Sequence, residues 1–311
     1  MFSPALFAYG RLKSALNARP VVSGRNRSTG FAVFRGIVPN LPEVPKMKRR
    51  ILSLICAVAA LAGVSVVAQQ TPEPASPLRV FIRSGEKTHG AGGNDLHDYP
   101  AFLGSWSTVL KDRGVVVDGA LHFPTDAELA ATDVLINFKG DGGTCSPAER
   151  RALETFLSRG GGLISLHDGM CSDDAEWYAA MAGGAKQHGE RNSSSGLIRL
   201  TFQDRNHPIT QGIPDFELDD EAFYGLRTTP ELHVLATAAI PSSGEVVPQI
   251  WTAERTLAGG KPYRSFVYML GHRHTNFSNP HVQTMLLRAI AWAGGRPVDS
   301  LTNAPAAPAR L

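Results

Sequence analysis

Four short runs fix what this chain can become. Residues 77–82 (PLRVFI), 115–119 (VVVDG), 133–138 (DVLINF) and 162–167 (GLISLH) are apolar almost throughout and of strand length. A strand without a polar face has to be covered on both sides, as in parallel sheets whose crossovers lay helices on each face. The segments between the runs supply those helices. Residues 99–114 place Phe102, Leu103, Trp106, Val109 and Leu110 at helical spacing and close on Gly114. Ser146-Pro147-Ala148-Glu149 is a capping box with proline at the first helical position. It opens a helix carrying Leu153, Phe156 and Leu157 that stops near Gly160.

Beyond Gly196 the pattern changes to strand-like runs, LIRLTF, LHVLATA, VPQIW and RSFVYML, with fewer helices between them. Residues 279–294 form a closing helix with Val282, Leu286, Ile290 and Trp292 on its apolar face. The expected fold is an α/β three-layer sandwich over residues 78–297. Its central sheet is mostly parallel, with extra strands in the C-terminal half. The Ala/Pro-rich residues 298–311 are expected to be a disordered tail, and no internal repeat is visible.

The N-terminal region has a different character. Met47-Lys48-Arg49-Arg50, the apolar run 51–67 and the end Val66-Val67-Ala68 have the layout of a secretory signal peptide. This predicts a start at Met47, with residues 1–46 as upstream sequence, 47–68 as the signal and 69–77 as a Pro-rich linker. A transit peptide and a retained membrane anchor are the alternatives. The expected location is periplasmic or secreted, with no stable membrane insertion after cleavage.

Residues 1–68 hold ten of the 31 Lys and Arg and one of the 28 acids, Glu43, leaving 21 basic and 27 acidic groups, a net −6. A mildly acidic domain without Lys/Arg clusters has no electrostatic footprint for nucleic acid. Cys56 falls in the apolar run. Cys145 and Cys171 remain, in loops expected to leave neighbouring strands at one sheet edge, and a disulfide between them is expected.

In open parallel sheets, ligands bind beyond the carboxyl ends of the strands. Three segments leave those ends with unusual polarity: 86–99 (EKTHGAGGNDLHDY), 139–145 (KGDGGTC) and 167–174. They offer His89, His97, His167 and Asp168. Farther on stand Asp219-Asp220-Glu221 and His272-Arg273-His274. Imidazoles and a carboxylate from separate segments suit a divalent metal, zinc above all; the same groups could serve as acid and base. A core histidine satisfied by a carbonyl is the bland alternative for His167. The absence of G-x-S-x-G, G-x-x-x-x-G-K-S and G-x-G-x-x-G motifs argues against a serine hydrolase and against a nucleotide cofactor.

Three ordered stretches, GGGLISLHDG, HPITQGIPDFELDDEAFYGL and VYMLGHRHTNFSNPHVQTMLLRAIAWAGG, resemble the trehalose-utilization (ThuA-like) family. The resemblance spans residues 79–297. It implies a class I glutamine amidotransferase-like fold whose nucleophile cysteine is replaced, with His167 at the elbow, so glutaminase activity is not expected. It also implies action on a small carbohydrate, a disaccharide or keto-sugar. Carried over by motif, His167, His272 and Glu221 are the catalytic candidates. His89, His97, Asp168 and Tyr224 are candidates for binding substrate, and His89, His97, His167 and His272 for holding a metal. Trp177, Tyr178 and Phe223 are further candidates for stacking on sugar rings. A non-catalytic carbohydrate-binding module, whose histidines would not converge, and a metal-dependent amidase or peptidase are the alternatives. Oligomeric state is not legible.

Overall fold

The computed structural model describes residues 76–303. In chain order the elements are β1 (Arg79–Ser84), α1 (Tyr99–Lys111), β2 (Val116–Ala120), α2 (Asp126–Ala130), β3 (Val134–Phe138), α3 (Pro147–Ser158) and β4 (Gly162–Leu166). A 3₁₀ turn, His167–Met170, leads to β5 (Cys171–Ser172), α4 (Ala175–Ala182), β6 (Gly184–Gln187), β7 (Ser193–Phe202), β8 (Phe216–Phe223) and β9 (Arg227–Thr228). The chain closes with β10 (His233–Ala239), β11 (Val246–Thr256), β12 (Pro262–Tyr268) and α5 (Pro280–Ala293).

Nine strands form one sheet in the order β2-β1-β3-β4-β12-β11-β10-β7-β8, and β5, β6 and β9 form a small second one. Pairing is parallel from β2 to β12 and antiparallel from β12 to β8. The parallel part is the one that the four apolar runs announce, except that β2 is an edge strand, half-covered, with Val116 exposed. The antiparallel part holds the expected extra strands.

Successive side chains of a strand point to opposite faces, and here both faces are covered. Ile82, Ile136, Phe138, Ile164, Leu166, Phe266 and Tyr268 pack with Phe102, Trp106 and Leu110 of α1 and with the apolar face of α5. Phe81, Leu135, Leu163 and Val267 pack on the other face with Leu153, Phe156 and Leu157 of α3 and Tyr178 and Ala179 of α4. These are the three layers. The helix caps follow the sequence signals: Ser146 N donates to Glu149 Oε2 at 2.7 Å and Glu149 N to Ser146 Oγ at 3.3 Å. Asn279 caps α5 ahead of Pro280.

Several expectations need correction. Order continues past Pro297: a 3₁₀ turn spans Val298–Ser300, Leu301 is buried, and Arg288 Nε donates to Asp299 Oδ1 at 2.7 Å. Residues 304–311 lie outside the described part, as do the leader and all of the linker before Ser76. No helix of the described residues is long and apolar enough to cross a membrane.

Cys145 and Cys171 are both buried and both free. Their loops do meet, with Gly143 N donating to Cys171 O at 2.8 Å. Ser172 Oγ donates to Gly143 O and Asp173 N to Thr144 Oγ1, both at 2.9 Å, but the thiols turn to different partners. Cys145 Sγ lies 3.9 Å from Arg83 Nη1, and Cys171 Sγ donates to Asp168 Oδ1 at 3.5 Å.

Candidate metal centre

The carboxyl ends of β1, β4 and β12 release the three segments that build the centre. β4 runs straight into His167, whose φ of +46° is left-handed. That sharp turn aims the imidazole back across the sheet edge, in the manner of the strained strand-to-helix elbows that present nucleophiles in other α/β folds. The ring is fully buried. Its Nδ1 lies 2.8 Å from Met269 O. A carbonyl only accepts, so Nδ1 is the donor, and in the neutral ring Nε2 carries the lone pair. Phe223 stacks on the opposite side of the ring, centroids 4.6 Å apart.

His97 ends the loop after β1, which is zipped to the loop after β12. His97 N donates to His272 O at 2.8 Å, and His274 N to Asp95 O at 2.9 Å. Thr275 adds a main-chain and a hydroxyl bond to the Asp95 carboxylate. His89, Asp95 and His97 all have positive φ. Together with His167 they gather most of the left-handed non-glycine residues of the described chain at one place. Backbone strain of that kind concentrates at functional sites.

Glu221 comes from the far side of the sheet. β8 is an edge strand, five places from β4, yet Glu221 Oε2 lies 3.5 Å from His167 Nε2. The β7–β8 hairpin explains this. β10 pairs with β7 only at Thr201 and Phe202, whereas β7 and β8 stay paired from Ser193↔Phe223 to Leu200↔Phe216. The free length of the hairpin leaves the sheet and arches over its carboxyl edge. Alternation along β8 then divides three acids: Asp220 is buried, while Asp219 and Glu221 point the other way.

The convergence is tight. His97 Nε2 is 3.0 Å from His167 Nε2 and 2.8 Å from His272 Nδ1, and His272 Nδ1 is 3.4 Å from Glu221 Oε2. One donor atom from each of these four residues lies within 4.8 Å of every other. Bonds of about 2.0–2.1 Å at tetrahedral angles would set neighbouring donors about 3.3 Å apart, so the spacing fits a first-row divalent ion. The proton inventory agrees: His97 Nε2 can give its one hydrogen to only one of the two nitrogens beside it. A shared cation would satisfy every lone pair at once.

The electrostatics favour the ligating forms. Burial, then the charges of the neighbouring histidines, takes the His97 pKa down to about 3, against the pull of Asp168. That keeps the ring neutral, as a ligand must be. Burial pushes Glu221 up, but the His272 hydrogen bond and the His167 charge outweigh it and hold the carboxyl at about 2.

The trehalose utilisation (ThuA) family model matches residues 97–293, well over half of the chain. The protein belongs to the ThuA family. The match begins at His97 and takes in all four converging residues. No curated protein sequence matches the chain.

Two solved structures share the fold. One is a ThuA-like protein of Parabacteroides merdae, 17% identical, with a TM-score of 0.56 over 71% of this chain and 91% of that one. The other is a ThuA-like protein of Bacteroides uniformis, 18% identical, with a TM-score of 0.53 over 70% and 91%.

Against this geometry, the candidates of the ThuA-like motifs sort clearly. His97, His167, His272 and Glu221 meet. Glu221, a catalytic candidate by motif, supplies the carboxylate of the group. His89 does not join it: its ring is exposed and stacks on His97, centroids 4.0 Å apart, outside the group of four. His274 turns away to Ser105 Oγ at 3.2 Å.

Asp168 stands beside the group, its Oδ2 3.5 Å from His97 Nε2. Tyr224 points its hydroxyl at Arg191 O, and the aromatic at the centre is its neighbour Phe223. Trp177 and Tyr178 belong to α4: Trp177 bonds Glu154 under the Arg150 guanidinium, and buried Tyr178 bonds Ser165 and Asn137. The thiol nearest the elbow, Cys171, is pushed well above its usual pKa by burial and then by Asp168.

The middle acid of Asp219-Asp220-Glu221 has a role of its own. Buried Asp220 accepts from Gly271 N at 3.1 Å, His272 N at 2.9 Å and Asn276 Nδ2 at 2.7 Å, and so fixes the turn that carries His272. The only signal for it was an acid with apolar neighbours two residues away on each side, Leu218 and Ala222.

Proposed function

We propose that this ThuA-family protein is an exported, metal-dependent enzyme that acts on a small carbohydrate by acid–base chemistry. The meeting of three imidazole nitrogens and one carboxylate oxygen, with the His167 lone pair aimed inward, carries the reading. His97, His167, His272 and Glu221 would hold the ion, with zinc the best match to a mixed N/O set of four. Taking a fifth ligand beyond these four, such an ion would polarise a bound oxygen and lower the pKa of bound water toward neutrality. The protein's own part is to keep the donors deprotonated and to present Asp168, the carboxylate beside the donor set, to substrate. A non-catalytic sugar-binding module gives no reason for such convergence.

A metal-dependent amidase is the second reading, favoured by the carboxylate of Asp168 beside the donor set. Assay of the metal-loaded protein on disaccharides and on N-acyl amino acids separates the two.

The deciding measurement is metal content. Purified protein should carry about one divalent ion per chain by plasma mass spectrometry, and His167→Ala should retain less than a tenth of it. Metal-free wild type under zinc-replete conditions, or sugar turnover intact in the variant, would overturn the proposal. Export from Met47 is tested by N-terminal sequencing of secreted protein, which should begin at Gln69.

A further inference from the structure

Beside the centre stands a carboxylate that the donor set does not need. Asp168 Oδ2 lies 3.5 Å from His97 Nε2, and Oδ1 lies 4.0 Å from His167 Nε2. Yet Asp168 falls outside the four residues whose donor atoms are all mutually close. Two donors hold its side chain in that place. Tyr99, itself fully buried, donates its hydroxyl to Oδ2 at 3.0 Å, and the Cys171 thiol reaches Oδ1 at 3.5 Å.

The main chain is pinned as well. Gly142 N donates to Asp168 O at 2.9 Å and Asn137 Nδ2 to Gly169 O at 2.7 Å. A carboxylate has about four acceptor positions. One is taken by a hydroxyl and one by a weak thiol donor. The side chain is 17% exposed, so the remaining positions face the donor cluster and the solvent beside it.

A rigid acceptor one hydrogen bond from the centre, and not part of it, is a specificity device. A ligand that places one oxygen at the cluster has its next carbon beside Asp168, and a hydroxyl there has an acceptor waiting. We propose that Asp168 selects ligands bearing two adjacent hydroxyls, one oxygen going to the cluster and the other donating to Asp168, with Tyr99 holding the carboxylate in position. This rests on the metal reading above and narrows its substrate to a vicinal diol.

The probe is the protein loaded with Co²⁺ and titrated with cis-1,2-cyclohexanediol and with cyclohexanol, following the visible bands of the bound cobalt. Wild type should bind the diol at least about tenfold more tightly than the alcohol, the scale of a hydrogen bond to a charged acceptor. Asp168→Asn should erase the preference while keeping one cobalt per chain. If that variant does not fold, Tyr99→Phe replaces it and should weaken the preference at full cobalt occupancy.

A diol preference unchanged in the tested variant refutes the assignment and leaves the metal reading intact. Loss of cobalt from Asp168→Asn refutes it differently, by making Asp168 a ligand. Wild type that binds no cobalt removes the metal reading and this inference together.

Discussion

Asp220→Asn is expected to destabilise the protein by about 3 kcal/mol and to weaken metal binding by roughly ten- to a hundredfold. Both oxygens of the carboxylate are acceptors in use. Oδ1 takes His272 N and Glu221 N, and Oδ2 takes Gly271 N and Asn276 Nδ2. An amide keeps one of these oxygens and turns two hydrogens against donors at the other. In a buried position the displaced N–H groups find no water. Because the main-chain N of both Glu221 and His272 is anchored here, two of the four donors lose their placement together. Urea unfolding and zinc titration read the two effects. A variant with wild-type midpoint and wild-type affinity would show that the turn needs no anchor.

Gly169→Ala should be as severe. A Cβ there would lie 2.0 Å from Asn137 O and 2.9 Å from Asn137 C. Both are main-chain atoms of β3 that cannot rotate aside, so the elbow and the strand must part. The expected loss is about 3 kcal/mol, and at growth temperature the variant should be recovered largely insoluble. Gly104→Ala is the control. It lies on the exposed side of α1 with nothing within 4 Å of the added carbon, and it should gain about 0.5–1 kcal/mol from helix propensity. Thermal unfolding of the pair checks both signs. Equal midpoints for the two variants would mean that the elbow is softer than its contacts imply.

How much of this was legible in the sequence depends on how local each determinant is. β1, β3, β4, α1, α3 and α5 announce themselves because periodicity and capping act over a few residues. Ser146 with Glu149 is a complete instruction for a helix start. β8 is different. Its sequence, FELDDEAF, alternates correctly but spends its inward positions on Asp220 as well as Leu218 and Ala222. A strand that buries an acid for the sake of a neighbouring turn does not look like a strand.

The disulfide expectation failed for a related reason. Strand order does bring the loops together, but Cys145 turns to Arg83, 62 residues away, and Cys171 turns back to Asp168 in its own loop. The histidines at 167 and 272 stood out in motifs. Whether His89 or His97 supplied the third ring depended on how the glycine-rich loop folds back, which no spacing rule states. Glu221 could be flagged but not assigned, because its reach depends on a hairpin leaving its own sheet.

That arching hairpin bears on when the centre comes into being. Its acid and the imidazole after β12 close loops of very different length with the first histidine, which stands 175 residues ahead of the last. Contacts between such distant positions form late, after the entropy of closing the intervening chain has been met. A nascent polypeptide halted before residue 272 would own three donors and no enclosed centre. On the metal reading proposed above, ion capture would wait until the chain had been made past residue 272.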